Sequence, residues 1–397
     1  MKIVIASDSF KGSCSTVEVA TAIEKGIRRI KKDAEIVKIP VADGGEGTVD
    51  ALVLGTGGKY ETVEVIGPLG NKISASYGIL EGNVAVIEMA SASGLPLLKK
   101  DELDPLKSTT YGTGQMIKAA IDKGCKKIFI GIGGSATNDG GVGMAQALGV
   151  SFKDQDGKEI GFGGAELARL TDIDTTQLDP RIKETEIIVM SDVTNPLCGE
   201  KGASYIYGPQ KGATPEIVKQ LDANLKHYAS VIEKKLGIDV LDVPGAGAAG
   251  GLGAGLVAFC NVELYPGVEK ILEVTGIDRH LLDADLVITG EGRIDSQSIY
   301  GKVPVGVAKR AARHKVPVIA IVGSIGEGAA EVYAHGVTAV LDIIPKPMSL
   351  EEAMDNASSL IEQAAENVMR VLSIEKTVSR LDFLNRKELD IHENGSA

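Results

Sequence analysis

Residues 2–47, KIVIASDSFKGSCSTVEVATAIEKGIRRIKKDAEIVKIPVADGGEG, decide the class of fold. The first apolar run predicts a strand, and Ser15 with Glu18 three positions later makes the capping-box pattern with which helices begin. The residues that follow predict a second strand at 34–41 and a second helix at 47–54. Strands that alternate with helices pair in parallel and form doubly wound sheets, so we expect an α/β fold.

The pattern changes after residue 60. Residues 60–89 hold three alternating apolar runs, separated by turn signals at 67–70 and 81–83, which is typical of an antiparallel β-meander. Beyond the meander we expect a helix at 113–122, strands at 127–132 and 186–191, and a helix at 214–236.

The alternation of strands and helices returns at residue 285. We expect strands at 285–289, 316–322 and 339–344, and helices at 305–312 and 350–372. The chain is therefore predicted to form a discontinuous first domain, residues 1–60 plus 285–373, into which a second, mixed α/β domain, 61–284, is inserted. Residues 374–397 are polar and are expected to form an appended tail.

Composition narrows the classes of function. Glycine makes up 49 of 397 residues, about 12% against a usual ~7%, while aromatic residues are 4% and tryptophan is absent. The net charge of −12 and the scarcity of aromatic side chains disfavour nucleic-acid binding. No apolar run approaches ~18 residues, so no membrane span is expected. The four cysteines form no CxxC pair and the N-terminus is unlike a signal peptide, so we expect a cytoplasmic protein.

Four predicted strands end in a carboxylate among small residues: Asp8, Asp43, Asp192 and Glu291. In open α/β sheets the carboxyl ends of the strands line the ligand crevice. Each acid by itself is typical of a helix cap or a turn. Their repetition suits Mg²⁺, which binds one or two carboxylates and keeps phosphates and waters as its other ligands.

The longest glycine-rich loop, GIGGSATNDGGVG at 131–143, follows a predicted strand and precedes a helix. Backbone N–H groups in such a loop bind anions. Its candidate phosphate or ribose contacts are Gly133, Gly134, Ser135, Thr137, Asn138 and Asp139. A second loop, 245–255, is typical either of a ligand loop or of close helix packing on small residues. Lys211, in Gly-Pro-Gln-Lys-Gly, is either a phosphate ligand or part of a surface loop.

Residues 131–136 and 245–250 match the loose dinucleotide fingerprint, so an NAD-dependent hydroxy-acid dehydrogenase is an alternative. Chance matches are expected in a glycine-rich chain, and the first match lacks a clean βαβ unit. The P-loop pattern is absent, and the five histidines lie outside the glycine loops. Phosphoryl transfer fits these residues, because it needs Mg²⁺, glycine loops, a cationic clamp and an Asp that takes the hydroxyl proton.

Six blocks of the sequence resemble the bacterial glycerate kinases of the glycerate-utilisation type. They are MKIVIASDSFKGS, PVADGGEGTVDAL, GIGGSATNDGGVGMAQALG, SDVTNPLCGEKGASYIYGPQKGA, PGAGAAGGLGAG and TGEGRIDSQSIYGKVPVGVAK, within residues 1–373. The resemblance implies ATP- and Mg²⁺-dependent phosphorylation of D-glycerate, usually to 2-phosphoglycerate, with 3-phosphoglycerate as an alternative. It also implies a flavodoxin-like (Rossmann-like) parallel-sheet domain and a restriction-endonuclease-like one, with the active site in the cleft between them. Ser191 stands where the family commonly has Cys, a small-for-small change.

The matched blocks contain the candidate site residues. Asp192 is the first candidate for the general base and is also a candidate Mg²⁺ ligand, while Asp295 is the second candidate base. The remaining candidates are Lys11, Arg293 and Lys302 for the glycerate carboxylate or the transferring phosphate, Asp8, Asp43 and Glu46 for substrate hydroxyls or Mg²⁺, and Glu291 for Mg²⁺.

The expected partners are D-glycerate and ATP, bound by a monomer or a homodimer. A third alternative, a non-catalytic sensor with the same fold, would have lost these carboxylates, and all of them are present.

Overall fold

The computed structural model describes residues 1–260, 262 and 264–374. Its strands are β1 (Lys2–Ile5), β2 (Glu35–Lys38), β3 (Lys59–Ile66), β4 (Lys72–Leu80), β5 (Val84–Glu88), β6 (Lys127–Gly131), β7 (Ser151–Lys153), β8 (Asp172–Asp174), β9 (Glu186–Met190), β10 (Leu264–Tyr265), β11 (Leu286–Glu291), β12 (Val318–Val322) and β13 (Ala339–Asp342). Its helices are α1 (Thr16–Ile30), α2 (Thr48–Thr56), α3 (Ala90–Ser93), α4 (Tyr111–Asp122), α5 (Val142–Ala147), α6 (Ala203–Tyr207), α7 (Pro215–Leu236), α8 (Ala248–Cys260), α9 (Gly267–Val274), α10 (Ile277–Leu281), α11 (Val303–Arg313) and α12 (Leu350–Asp355), and residues 357–374 are also helical. α8 is kinked near its start, where residues 249–251 have left-handed, non-helical backbones. The fold is α/β with parallel sheets, as predicted. None of the described helices is both long enough and apolar enough to cross a membrane.

The chain packs as two compact units. Unit 1 comprises residues 1–39, 279–299 and the described chain from 307 onward, and unit 2 comprises 40–278 and 300–306. This division differs from the predicted boundaries at 60 and 285, because α2 packs on the meander. A Cβ added to Gly78 of β4 would lie 2.4 Å from the Val53 side chain of α2. Apart from residue 374, the predicted tail lies outside the described residues.

Unit 1 is built on a parallel sheet, whose described strands have the order β13-β12-β11-β1-β2. β1 lies in its interior, with Ile3 opposite Ile36 of β2 on one side and Leu286 of β11 on the other. The chain runs from β1 outward to β2, and from β11 outward in the opposite direction to β13. The strand order therefore reverses between β1 and β11, which is where open α/β sheets bind ligands.

The predicted capping box starts α1. Ser15 N donates to Glu18 Oε2 at 2.8 Å, and Glu18 N donates to Ser15 Oγ at 3.3 Å. Two N–H groups at the helix start are thereby satisfied by side chains. The apolar face of α1 is buried in the core of unit 1 through Val19, Ala22, Ile23 and Ile27.

Unit 2 is built on a mixed sheet in the order β10-β9-β6-β5-β4-β3. β3, β4 and β5 pair antiparallel, which confirms the predicted meander. β5, β6, β9 and β10 pair in parallel. The carboxyl ends of these four strands therefore meet at one edge, where the loops after each strand lie side by side.

One predicted helix is interrupted. The sequence predicts a single helix over 350–372, but Asn356 separates α12 from the helical residues 357–374. Asn356 Nδ2 donates to Glu352 O at 2.8 Å. An asparagine side chain that bonds to the nearby backbone competes with helical hydrogen bonds, which explains the break.

The two glycine-rich loops pack backbone against backbone. Gly140 N donates to Gly250 O at 3.1 Å. A Cβ on Gly250 would lie 1.9 Å from Thr137 O, and one on Gly255 would lie 2.6 Å from Gly140 O. Of the two interpretations of loop 245–255, close packing on small residues is the one that these contacts support.

Gly250→Ala is expected to destabilise the protein far more than Gly57→Ala. Both glycines have left-handed backbones, with φ of +68° and +72°, but a Cβ at Gly57 has nothing within 4 Å. A left-handed alanine costs about 1–2 kcal/mol, and overpacking at Gly250 adds about 1–3 kcal/mol. Urea unfolding followed by circular dichroism measures both losses, and equal losses would contradict the close packing.

Candidate active site

Three predicted site residues, Asp43, Gly133 and Asp192, lie at the carboxyl edge of the unit 2 sheet. The loop that begins at Asp43 contacts the long glycine loop, where Gly133 N donates to Gly44 O at 3.5 Å. Asp192 follows β9, and its Oδ1 accepts a hydrogen bond of 2.8 Å from Gly267 N at the start of α9. The N–H group of a helix terminus thus orients one oxygen of the Asp192 carboxylate.

Residues 300–306 also reach this edge. A Cβ on Gly301 would lie 3.4 Å from Asp192 Oδ1, and Gly301 has a φ of +104°. The Cβ contact is ordinary, so glycine suits this position because of its left-handed backbone. Lys302, the predicted anion-binding cation, follows directly and is partly buried.

The loop after Asp43 turns on its own carboxylate, since Asp43 Oδ1 accepts from Gly45 N at 3.0 Å. Asp43 is partly buried, whereas Glu46, the other candidate in this loop, is exposed. This is the turn geometry that short polar side chains commonly form.

The carboxylate of Asp139 is enclosed by hydrogen-bond donors. Its side chain is 1% exposed. Thr110 donates to Oδ2 through both its N–H and its hydroxyl at 2.8 Å, Gly143 N donates to the same oxygen at 3.3 Å, and Gly141 N donates to Oδ1 at 3.1 Å. Burial raises the pKa of Asp139, and these bonds oppose the rise. The carboxylate of Asp139 thereby fixes the end of the glycine loop and the start of α5.

Lys211 lies beneath the same loop. It is 1% exposed, so the interpretation of it as part of a surface loop is wrong. Its Nζ donates to Ser135 Oγ and to Thr137 O, both at 2.7 Å. Burial lowers the pKa of Lys211 to about 7, and the nearby Asp139 charge partly offsets this.

Only part of the long loop reaches the surface. Gly134 is exposed and Gly133 partly so, whereas Ser135 is 6% exposed and lies just beneath them. Thr137 and Asn138 are fully buried, and Asn138 Oδ1 accepts a hydrogen bond from Ser204. A ligand at this loop would therefore meet the backbone of Gly133 and Gly134 first.

Glu88, which ends β5 at the same edge, is not among the site residues predicted from the sequence. Its Oε1 accepts from Val49 N in the first turn of α2 at 2.7 Å. Burial raises the pKa of Glu88 to about 7, while the bond from Val49 lowers it and the charges of Asp50 and Glu46 raise it further. The sequence contains a signal for Glu88, because residues 84–88, VAVIE, form an apolar run that ends in an acid, as the other predicted strands with candidate acids do.

In unit 1 two predicted acids lie at the switch in strand order. Asp8 is 5% and Glu291 6% exposed, and Asp8 N donates to Gly290 O, so the two segments are adjacent at 2.9 Å. Asp8 Oδ1 accepts from Ser9 N at 2.7 Å, and Glu291 Oε1 accepts from the Ser298 hydroxyl at 2.6 Å.

The other unit 1 candidates are more exposed. Arg293, with 66% of its side chain exposed, contacts Asp295 through an Nε–Oδ2 distance of 3.1 Å. Asp295 Oδ1 accepts from Gln297 N at 3.0 Å. Lys11 is exposed, and its backbone N lies 3.7 Å from the position of a Cβ on Gly292.

Comparisons with known proteins agree with one another. Residues 3–373 match the model of the glycerate kinase family. A glycerate kinase of Halalkalibacterium halodurans is 53% identical over 94% of this chain and 99% of its own length. A glycerate 2-kinase of Escherichia coli is 53% identical over 94% of this chain and 98% of its own length.

A solved structure is also similar. The crystal structure of a putative glycerate kinase 2 from Salmonella typhimurium LT2 matches with a TM-score of 0.84 and 51% identity, over 95% of this chain and 99% of that one. The dehydrogenase alternative gains no support. After β6 ends at Gly131, the chain continues to Val142 before α5 begins, whereas a dinucleotide fingerprint opens directly into its helix.

Glu88 predicts a pH dependence of stability. Its folded pKa is about 7, against ~4.3 in an unfolded chain, so between these values only the folded state holds the proton. The free energy of unfolding should therefore fall as the pH rises through this window, by up to ~1.4 kcal/mol per pH unit. Below the window and above it, Glu88 contributes no slope.

Glu88→Gln should remove this slope, as measured by urea unfolding at several pH values between about 4.5 and 7.5. Glu64→Gln, at an exposed glutamate of β3, is the control and should keep the wild-type slope. A Glu88→Gln curve parallel to wild type would contradict the prediction.

Proposed function

The chain belongs to the glycerate kinase family, and from that premise we propose that it transfers the γ-phosphoryl group of ATP to the 2-hydroxyl of D-glycerate. The observation that carries the proposal is the match along almost the whole chain, at 53% identity, to a protein named glycerate 2-kinase. The products are ADP and 2-phosphoglycerate. Transfer to the 3-hydroxyl is the alternative within the same reaction class.

Asp192 is the proposed general base. The Gly267 N–H holds one carboxylate oxygen at 2.8 Å, which orients the group at the carboxyl edge of the sheet. A base positioned in this way takes the proton of the attacking hydroxyl as the O–P bond forms. Asp295, whose Oδ1 accepts from Gln297 N and whose Oδ2 faces Arg293, is the second candidate.

The long glycine loop is the proposed phosphate-binding loop for ATP. Two observations support this role. Gly133 is partly exposed and Gly134 is exposed, and Ser135, which follows them, is buried and hydrogen-bonded to Lys211. A loop fixed from beneath presents N–H groups to phosphate without reorganising. Gly133 N already donates to Gly44 O, so the N–H of Gly134 is the first candidate donor. Asp139, Thr137 and Asn138 support this loop from within.

The anionic groups of the two substrates are proposed to bind arginine and lysine side chains. Arg293, Lys302 and Lys11 are the proposed partners of the glycerate carboxylate and the transferring phosphate. Asp8, Asp43 and Glu46 are the proposed partners of the glycerate hydroxyls.

Mg²⁺ is the proposed metal, and the donor set fits it. Among the described residues no three His, Cys, Asp or Glu side chains form a ready-made metal cluster. Mg²⁺ bound with ATP needs only one or two carboxylates, because phosphates and waters supply its other ligands. Glu291 is one candidate ligand, Asp192 is another in place of its role as the base, and the bound ion would neutralise charge on the phosphates.

Three finer assignments complete the proposal. Unit 1 is proposed to be flavodoxin-like, because its strands taken in chain order are arranged 2-1-3-4-5. Unit 2 is proposed to be restriction-endonuclease-like on the family resemblance alone. A cytoplasmic location is supported by the four cysteines, all of which are free thiols.

The test of function is ADP release from MgATP with D-glycerate, with L-glycerate, and with no acceptor. We expect release with D-glycerate only. Coupling of phosphorus to the proton on carbon 2 in the product's NMR spectrum would establish 2-phosphoglycerate, and coupling to the carbon 3 protons would establish the alternative. Absence of D-glycerate-dependent release across metals and pH would overturn the proposal.

Asp192→Asn is expected to lower kcat by at least 100-fold, since a positioned base supplies about 10²–10⁴, and to leave MgATP affinity nearly unchanged. Asp222→Asn is the matched control, because Asp222 on α7 also accepts a backbone N–H, from Gly199 at 2.8 Å. Steady-state kinetics of Asp192→Asn, Asp222→Asn and Asp295→Asn decide the assignment. A kcat for Asp192→Asn within a few-fold of wild type would transfer the role to Asp295.

A further inference from the structure

A buried amine lies under the proposed phosphate loop without reaching its surface. Lys211 is 1% exposed, and the Nζ hydrogen bonds found in the described structure go to Ser135 Oγ and Thr137 O, each at 2.7 Å. A lysine amine donates two or three hydrogen bonds and here both identified acceptors belong to one short turn of the loop. Lys211 therefore acts on this turn, and its side chain does not reach the surface of the loop.

The bond to Ser135 fixes where the serine hydroxyl points. A hydroxyl has one hydrogen to donate and two lone pairs. Because Ser135 Oγ accepts from Lys211, its own hydrogen is directed away from Nζ. In the described part of the chain this hydroxyl donates to no protein acceptor, and the residues just before it, Gly133 and Gly134, are the ones that reach the surface.

The residues that follow Ser135 in the turn, Ala136 and Thr137, are held in place by contacts with other segments. Thr137 O accepts from Lys211 on one side and has the backbone of Gly250 on the other, where an added Cβ would lie 1.9 Å away. Ala136 N also donates to Ser93 O at 2.9 Å. With its neighbours fixed in this way, Ser135 keeps one orientation, and the energy of orienting it is not taken from ligand binding.

We propose that Lys211 is a positioning residue for the nucleotide: it holds Ser135 so that the Ser135 hydroxyl donates a hydrogen bond to a phosphate oxygen of ATP. The inference rests on the proposed assignment of ATP to the loop 131–143. It separates two roles that the sequence analysis left together, because Ser135 touches the phosphate and Lys211 acts through Ser135.

A double-mutant cycle tests the coupling. Ser135→Ala should raise the dissociation constant of MgATP, measured by calorimetry without glycerate, by about 10- to 100-fold, the effect of a hydrogen bond to a charged group. Lys211→Met should raise it at least as much. The double variant should be no more than about twofold worse than Lys211→Met, since coupled effects are not additive.

The controls separate this role from a general structural one. The KM for D-glycerate should change less than threefold in each variant that keeps activity. Lys127→Met, at the opposite end of β6, where the Lys127 ammonium pairs with Glu186 at 3.0 Å, should leave both constants unchanged. If Lys211→Met does not fold, Lys211→Gln is measured instead: its amide keeps N–H donors, so it should raise the dissociation constant of MgATP less than Ser135→Ala does, and an equal or larger rise would contradict the positioning role.

The remaining outcomes distinguish failure of the positioning role, of the ATP assignment and of the proposed function. Additive effects, or a Lys211→Met variant with unchanged MgATP affinity beside a weakened Ser135→Ala, would overturn the positioning role and leave the proposed function intact. Unchanged MgATP affinity in both single variants of an active kinase would overturn the assignment of ATP to this loop, and the inference with it. Loss of D-glycerate-dependent ADP release in the wild type would instead overturn the proposed function itself.

Discussion

The proposed phosphate loop depends on the hydrogen bonds that the buried carboxylate of Asp139 accepts. Four hydrogen bonds of 3.3 Å or less reach its two oxygens, two from the backbone N–H and the hydroxyl of Thr110 and one each from Gly141 N and Gly143 N. An ionised carboxylate is costly to bury unless donors surround it, and here the donors come from both the loop and the start of α4. Removing the carboxylate would leave those donors unsatisfied in the interior, so loop and helix are held in one arrangement.

The same device recurs at strand ends in both units. Asp192 accepts from Gly267 N, Glu88 from Val49 N, and Asp8 from Ser9 N. In each case an acid that ends or follows a strand accepts a hydrogen bond from a backbone N–H, which belongs to the next residue for Asp8 and to another segment for Asp192 and Glu88. A carboxylate used in this way is oriented by the fold, which is the condition that general-base or metal-ligand chemistry imposes. Structural and chemical roles are therefore compatible at one residue.

Much of this could be predicted from sequence, and the failures have physical causes. The capping box at Ser15 and the meander were predictable because they depend on local spacing, and the family because its motifs are long. The burial of Lys211 was not, since a lysine between glycines has the same local pattern whether it faces water or the interior. The break at Asn356 depends on a side-chain bond within one turn, and the close packing of Gly250 on Thr137 joins residues far apart in sequence. The burial of Lys211 and the contact of Gly250 with Thr137 are decided by tertiary structure, whereas the break at Asn356 is local but leaves the apolar periodicity of the helix unchanged.

The position of β1 sets an order of events during synthesis. In the pairing of β1 with β11, Ile3 lies opposite Leu286. The ribosome must therefore add 283 residues after Ile3 (286 − 3) before this edge of β1 can pair. At ~5–20 residues per second, this interval is on the order of 15–55 s. In that time most of unit 2 has left the ribosome as one continuous segment, whereas β1, α1 and β2 have no completed sheet. An unpaired strand edge can pair with other chains, so the β11-facing edge of β1 is open to wrong pairing until β11 has been made.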